Sequence, residues 1–421
     1  MATSVNYRAQ LTALIVLLLC APLFSFAGNN SENFTEYKGI VTDKSTGKVL
    51  PFANVVVEKT NIATVTNTEG EFSIKIPDDI ESFSVSFIGY KSKMIHLKAY
   101  DGKRIKVEME PIILELPEVS VISKDATALV QAMMQKRNEN YSVNEMSLTA
   151  FYRETIKKNR SYASLSEAVV DVYKQPYTSY KMDVVKLYKS RKKADYNKLD
   201  TLVFKLMGGP FNSLYLDLMK NPEMVFTEDM LKNYEFSFDR STRSDDRLIY
   251  VIDFKQSDLY DEPLYYGKLY IDAQSLALKS AVFKLNISNR DAASKMFIVK
   301  KPLSSNVYPV EASYRIDYLE NNGKWYYGYS RIELGLRINW KKKLFNTTYY
   351  STIEMAVTDR ESTEGDKPVS RKERLRPTVV ISDEASGFSD PDFWGEYNVI
   401  EPEKSIESAI KKIQKQLQKK D

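Results

Sequence analysis

At 421 residues the chain exceeds the size at which one hydrophobic core usually stops growing, so its length predicts two folded modules. Hydrophobic residues at 43% and charged ones at 28% allow packed cores and exclude a multi-span membrane protein, and aromatics at 12%, led by 28 tyrosines, lean towards strands. With 60 basic residues against 56 acidic ones, interleaved in sign, the balance argues against a nucleic-acid partner.

The first 27 residues read as an export signal: Arg8 supplies the positive end, Leu11 to Cys20 is continuously apolar, and Ser25-Phe26-Ala27 offers small residues for cleavage after Ala27. The rival is a lipoprotein signal acylated at Cys20, but Leu19 stands where the lipid-attaching peptidase prefers a small residue. Cleavage at Ala27 removes the one cysteine and with it any disulfide or thiolate. No later apolar run reaches the about 18 residues that span a bilayer, so no transmembrane segment is expected in the mature chain.

Residues 28–117 are expected to form the first module. Short β-rich runs at Lys38-Val41, Ala53-Glu58, Ala63-Thr66, Glu71-Ile76, Ser82-Phe87, Met94-Leu97 and Arg104-Met109 suggest a sandwich. Phe72, Ile74 and Ile76 alternate with Glu71, Ser73 and Lys75, which predicts one buried and one wet face. Gly47 and Gly70 stand where positive φ is easy, and both turns are expected to close hairpins.

The segments Gly39-Ile40-Val41-Thr42-Asp43, Gly47, Leu50-Pro51-Phe52-Ala53-Asn54-Val55, Thr66-Asn67-Thr68-Glu69-Gly70-Glu71-Phe72 and Phe87-Ile88-Gly89-Tyr90 resemble the carboxypeptidase-regulatory-like family over about seventy residues. The resemblance implies a transthyretin-like β-sandwich that performs no chemistry itself and supports or connects something else. Asn67 departs from a pattern that more often carries Asp.

Residues 118–358 are expected to form a helix plus a long-stranded antiparallel module. Pro111 to Pro117 reads as a linker, Glu118-Ile122 as a short strand, and Ser123 or Asp125 as the cap of a helix whose apolar stripe is Ala126, Leu129, Val130, Met133 and Met134. Long strands follow from Leu148 to Thr358, broken by a helical or irregular insertion from Leu202 to Asn233 with a turn at Gly208-Gly209-Pro210. This order, with Gly267-Lys268-Leu269-Tyr270-Ile271-Asp272 and Leu276-Ala277-Leu278-Lys279, is similar to lipoprotein-carrier (LolA-like) half-barrels in topology more than in sequence. A tighter resemblance joins exported proteins with the same regulatory-like domain through Asn140-Tyr141, Phe151-Tyr152-Arg153-Glu154, Glu167-Ala168-Val169 and Phe393-Trp394-Gly395-Glu396-Tyr397-Asn398; it implies no activity. Residues 359–421 read as a charged linker and an amphipathic helix, Glu403 to Lys420, whose Ile406, Ile410, Ile413 and Leu417 suit a sheet surface or a partner helix.

The fold class is therefore mainly β: an N-terminal sandwich plus a larger antiparallel, half-barrel-like sheet with a few helices. The chemistry offers little. His96 is the single histidine, so Ser-His-Asp and Cys-His machinery and ordinary zinc sites lack members, and no cofactor or metal is expected. Glu154, Glu167 and Asp171 are conceivable glycosidase carboxylates, although no spacing singles them out; Asp239, Asp245, Asp246 and Asp253 could bind an ion weakly. Trp325, Tyr327 and Tyr329 would share one strand face, either as a stacking surface for a ligand or partner or as cross-strand packing. The expected function is non-enzymatic binding or scaffolding in the periplasm or on the periplasmic face of the outer membrane, with a lipid or hydrophobic ligand or an outer-membrane protein as partner. The alternative is an accessory of TonB-dependent nutrient uptake, whose transporters begin with a similar sandwich; a carboxylate glycoside hydrolase ranks last.

Overall fold

The structure, a computed structural model, describes residues 33–100, 104–112, 125–159, 161–194, 207–244, 247–298, 304–341, 346–362, 369–387 and 393–408. The export signal with Cys20, the 118–122 strand, Ser123, Asp245, Asp246 and the helix positions Ile410, Ile413 and Leu417 lie outside them. Residues from Phe34 onward form one compact unit. Among the described residues no helix is long and apolar enough to cross a membrane.

Seven strands build the sandwich: β1 (Phe34–Asp43), β2 (Asn54–Val57), β3 (Ala63–Val65), β4 (Glu71–Pro77), β5 (Ser82–Ser86), β6 (Lys93–His96) and β7 (Ile105–Met109). They form two sheets, β4-β1-β7 and β3-β2-β5-β6, which enclose Val41, Val55, Phe72, Ile74, Phe83, Val85 and Val107. The turn chemistry has direct causes. Asp43 accepts bonds from the Ser45 and Thr46 amides (2.7 and 2.8 Å) and from the Ser45 and Tyr90 hydroxyls (2.6 and 2.7 Å), which hold its carboxyl well below the usual range. Gly39 is glycine because a Cβ there would stand 2.4 Å from the Phe72 ring.

Two expectations fail here. The Gly70 turn closes no hairpin, because β3 pairs with β2 and β4 with β1, so the turn hands the chain from one sheet to the other. Nor is the second face of β4 wet: Glu71 and Ser73 are buried, Glu71 paired with Arg104 and Lys404 and Ser73 bonded to Glu36, while Asn398 is bonded to the backbone of neighbouring Lys75.

Helix α1 (Ala126–Gln135) follows, capped by Asp125, whose Oδ1 accepts from the Thr127 and Ala128 amides. The large sheet then contains β8 (Met146–Lys158), β9 (Ser161–Lys174), β10 (Val184–Ala194), β11 (Tyr234–Phe238), β12 (Thr242–Ser244), β13 (Arg247–Gln256), β14 (Tyr265–Asp272), β15 (Leu278–Leu285), β16 (Ser305–Asn321), β17 (Lys324–Trp340), β18 (Thr347–Ser362) and the two-residue β19 (Ser386–Gly387). Its order is β11-β13-β14-β15-β16-β17-β18-β8-β9-β10-β19, antiparallel except at β10-β19. Asn322 and Gly323, both at positive φ, form the two-residue turn that fixes the β16-β17 register.

The two faces of this sheet differ. The inner face is covered by α1, by α2 (Pro210–Tyr215) and the rest of the 207–231 insertion, by α3 (Arg290–Phe297), and by a strap, 369–387, that contains α4 (Ile381–Glu384). Gly208 and Gly209 make the expected turn, at φ 108° and 50°, and Gly209 also seats the strap: a Cβ there would meet Ile381 at 2.9 Å. The outer face carries the sandwich.

Candidate functional site

Three of the four blocks, Phe151-Tyr152-Arg153-Glu154, Glu167-Ala168-Val169 and Phe393 to Asn398, meet in one place, the seam between sandwich and outer face, while Tyr141 of the fourth joins the inner-face core. Phe151, Val169, Tyr329 and Ala356 from the sheet, Val65 and Phe52 from the sandwich, and Phe393, Trp394 and Ile400 form its apolar part. Trp394 packs edge-on against Phe151 at 5.4 Å.

A row of charges crosses this face. The strand registers place Arg191, Glu167, Arg153, Glu354, Arg331 and Arg315 side by side on β10, β9, β8, β18, β17 and β16. Glu167 accepts from Arg153 Nε and from Arg191 Nε, both at 2.8 Å, and Glu354 accepts from Arg331 at 2.6 Å and from the Tyr329 hydroxyl at 2.9 Å. Burial would raise the Glu167 pKa, but Arg153 and Arg191 outweigh it and hold the carboxylate ionised. Burial likewise works against the charged Arg153, and Glu167 with Glu354 overrides it.

Arg315 and Arg331 are like charges directly opposite one another, an unfavourable pairing. The sandwich supplies the remedy. Phe52 lies 5.3 Å from the Arg315 guanidinium and 5.2 Å from that of Arg331 while stacking on Tyr329, so its ring face offsets both cations. Asp317 takes the rest of Arg315 through bonds of 2.6 and 3.1 Å.

The segment 393–408 then sews the two parts together. Arg153 donates to the Ile400 carbonyl at 2.7 Å, and Arg191 stacks 4.7 Å over Trp394. On the sandwich side, Thr64 donates to the Val399 carbonyl, Asn67 Nδ2 to the Glu401 carbonyl at 3.1 Å, and Thr68 to Glu403. Asn398 Oδ1 accepts from the Lys75 amide at 2.7 Å. The departure at Asn67 thereby gains a physical reason: its oxygen holds the turn, as Asp would, and its amide nitrogen donates where Asp could not. Residues 404–408 begin the expected helix, with Ile406 buried.

The predicted aromatic surface does not form. Trp325, Tyr327 and Tyr329 are 1%, 0% and 0% exposed. The β16-β17 register slips at Gly328, so Trp325 and Tyr327 join the inner-face core while Tyr329 turns to the seam. The conceivable carboxylates are also separated: Glu154 pairs with Ser166 and Glu167 with Arg153, which sends Glu154 and Glu167 to opposite faces. Asp171 lies four positions further along β9. His96 is exposed on β6. Of the aspartates considered for an ion, Asp239 and Asp253 are both paired with Lys268. Among the described residues no cluster of ligating side chains could hold a metal.

A second buried ion cluster sits on the inner face. Lys174 bonds Asp183 and Asp217, each at 2.7 Å, and the Tyr318 hydroxyl donates to Asp217 at 2.8 Å. Burial works against the Lys174 ammonium, but the two aspartates outweigh it. Neither cluster was legible as a site, because the first is assembled by strand register and the second by the 207–231 insertion bringing Asp217 onto Lys174 of β9.

No curated protein sequence matches the chain. Three solved structures are similar to part of it: a LolA superfamily protein from Nitrosomonas europaea (11% identity, 59% of this chain and 99% of that chain covered, TM-score 0.23), a DUF1329 family protein from Desulfovibrio piger (9%, 58% and 96%, TM-score 0.24), and lipovitellin (7%, 60% and 28%, TM-score 0.25). At these scores the likeness carries no argument about function. Residues 37–121 match the family model of the CarboxypepD_reg-like domain, and the chain therefore carries that domain, in the position and with the β-sandwich that its motifs imply.

Proposed function

We propose that this chain is a non-catalytic, exported protein of the cell envelope that works as a rigid scaffold or binding platform, with the sandwich fixed to the large sheet rather than tethered to it. The seam is the observation that carries this reading. Six charged residues from six strands, a stacked Phe52 and the 393–408 segment all act to set one orientation of the two parts. Buried ion networks cost desolvation and add little net stability, so their best-attested use is to specify geometry. The seam's carboxylates are neutralised by guanidinium groups, which suits structure better than general acid–base work.

The inner face supports scaffolding over ligand carriage, since α1, the 207–231 insertion, α3 and the strap occupy it from within the chain. Native mass spectrometry with lipid extraction, on protein purified from its own host, tests this. Protein free of bound lipid is the expected result. A stoichiometric co-purifying hydrophobe would replace the scaffold with a carrier.

A further inference from the structure

We infer that the strap 369–387 is a pH-sensitive latch over the inner face, held down while the Glu154 carboxyl beneath it carries a proton. This goes beyond the scaffold reading and does not depend on it.

The geometry comes first. Glu154 is 3% exposed and points to the inner face, where its register neighbours are Ser166 on β9 and Ile353 on β18. Its own strand contributes Tyr152, whose hydroxyl donates to Oε2 at 2.8 Å. One position beyond Ser166 in the same row is Lys192 on β10, and Lys192 donates to the strap's Ser382 carbonyl. The strap's α4 packs on β9 and β10 and brings Asp383 close enough to repel an ionised Glu154. An inner-face carboxyl thus lies under an acidic helix, while the nearby cation is engaged by a backbone carbonyl.

Burial pushes the Glu154 carboxyl up to about 7; its bonds to Tyr152 and Ser166 draw it back in part, and Asp383 adds repulsion. Above neutrality the site must therefore hold a buried negative charge, with the exposed Asp383 adding a smaller repulsion. The strap is the element able to yield. Its backbone ties are local: Leu375 to Val185 with the Lys186–Arg374 bridge, Gly208 to Val379, and the β19 pairing at Arg191 and Lys192, with side-chain ties from Lys186 to Glu373, Ser190 to the Glu384 carbonyl and Lys192 to the Ser382 carbonyl. Its apolar anchors are Val379 and Ile381, with Leu375 packed beside them. Releasing it would leave the β8-β9 and β9-β10 ladders intact, as a low-stability local opening requires.

Amide hydrogen exchange on the full chain tests the latch, at about pH 6 and about pH 8.5 and corrected for the intrinsic pH dependence of exchange. Amides of 375–387 are expected to exchange about tenfold faster at the higher pH relative to those of β16 and β17. Glu154→Gln should abolish that difference. Asp383→Asn, on an exposed residue, should shrink the difference, because removing its charge lowers the latched Glu154 pKa, and serves as an independent variant. Equal strap protection at both pH values in the unaltered chain, or a difference that persists in Glu154→Gln, would overturn the inference.

Discussion

Phe52 and Tyr329 stack across the seam with ring centroids 5.7 Å apart and planes 22° from parallel, although Phe52 must hold its backbone at φ 64° to do so. A left-handed conformation costs a non-glycine residue about 1 kcal/mol or more. The ring contacts with Tyr329, Arg315 and Arg331 offset that strain.

An inverted substitution order follows. Phe52→Ala loses the ring and keeps the strain, with an expected cost of about 3 kcal/mol. Phe52→Gly loses the same ring but adopts positive φ freely, so it should be about 1 kcal/mol more stable than the alanine variant. Urea denaturation of both decides it, and a less stable glycine variant would show that strain is unimportant here.

Arg153 holds the seam at three points: Glu167, the Ile400 carbonyl, and the field of Glu354. Arg153→Leu strands a buried carboxylate with one cation fewer and leaves a carbonyl unmet, an expected loss of about 3–5 kcal/mol. Limited proteolysis should then cut within 393–408 before the sandwich or sheet. Intact protection of that segment would assign the fastening to the apolar contacts of Trp394 instead.

These relationships explain what the sequence could and could not convey. The sandwich strands were legible because Phe72-Ile74-Ile76 and Phe83-Val85 alternate on their own strands, and the Asp43 and Asn67 turns are local. The ladder was not, because Arg315, Arg331 and Glu354 read as ordinary solvated charges until register sets them beside Arg153. The blocks at 151–154, 167–169 and 393–398 stood out through resemblance without any indication that they touch. The aromatic triplet misled for a related reason: alternation places Trp325, Tyr327 and Tyr329 together, and the slip at Gly328 sends the last to the other face. Long-range pairing decides each case, and a single chain's pattern does not encode it locally.

Two buried glutamates should give opposite pH slopes. Glu167 has its folded pKa depressed below the ordinary 4.5, so its contribution is present above that value and lost as pH falls through the folded pKa. Glu154 has its folded pKa raised from 4.5 to about 7, so the native state binds the extra proton and stability declines as pH rises from about 4.5 to about 7, then levels off. Glu154→Gln should remove that decline and exceed the unaltered chain by up to about 3 kcal/mol at pH 8. Denaturation profiles across pH check both, and parallel profiles for the unaltered chain and Glu154→Gln would refute the second.

Asn67 separates the roles of turn and seam. Its Oδ1 accepts from the Glu69 and Glu71 amides, both at 2.9 Å, and its Nδ2 donates to the Glu401 carbonyl. Asn67→Asp retains both acceptor bonds but sets a carboxylate oxygen against that carbonyl, exchanging a bond for repulsion. The expected cost is about 1–3 kcal/mol. It should appear as faster hydrogen exchange at 398–403, with the amides of Glu69 and Glu71 still protected. Asn67→Ala should lose protection at both places. If the aspartate variant protects 398–403 as well as asparagine does, the amide donor is dispensable and the departure from the family's more common aspartate has another cause.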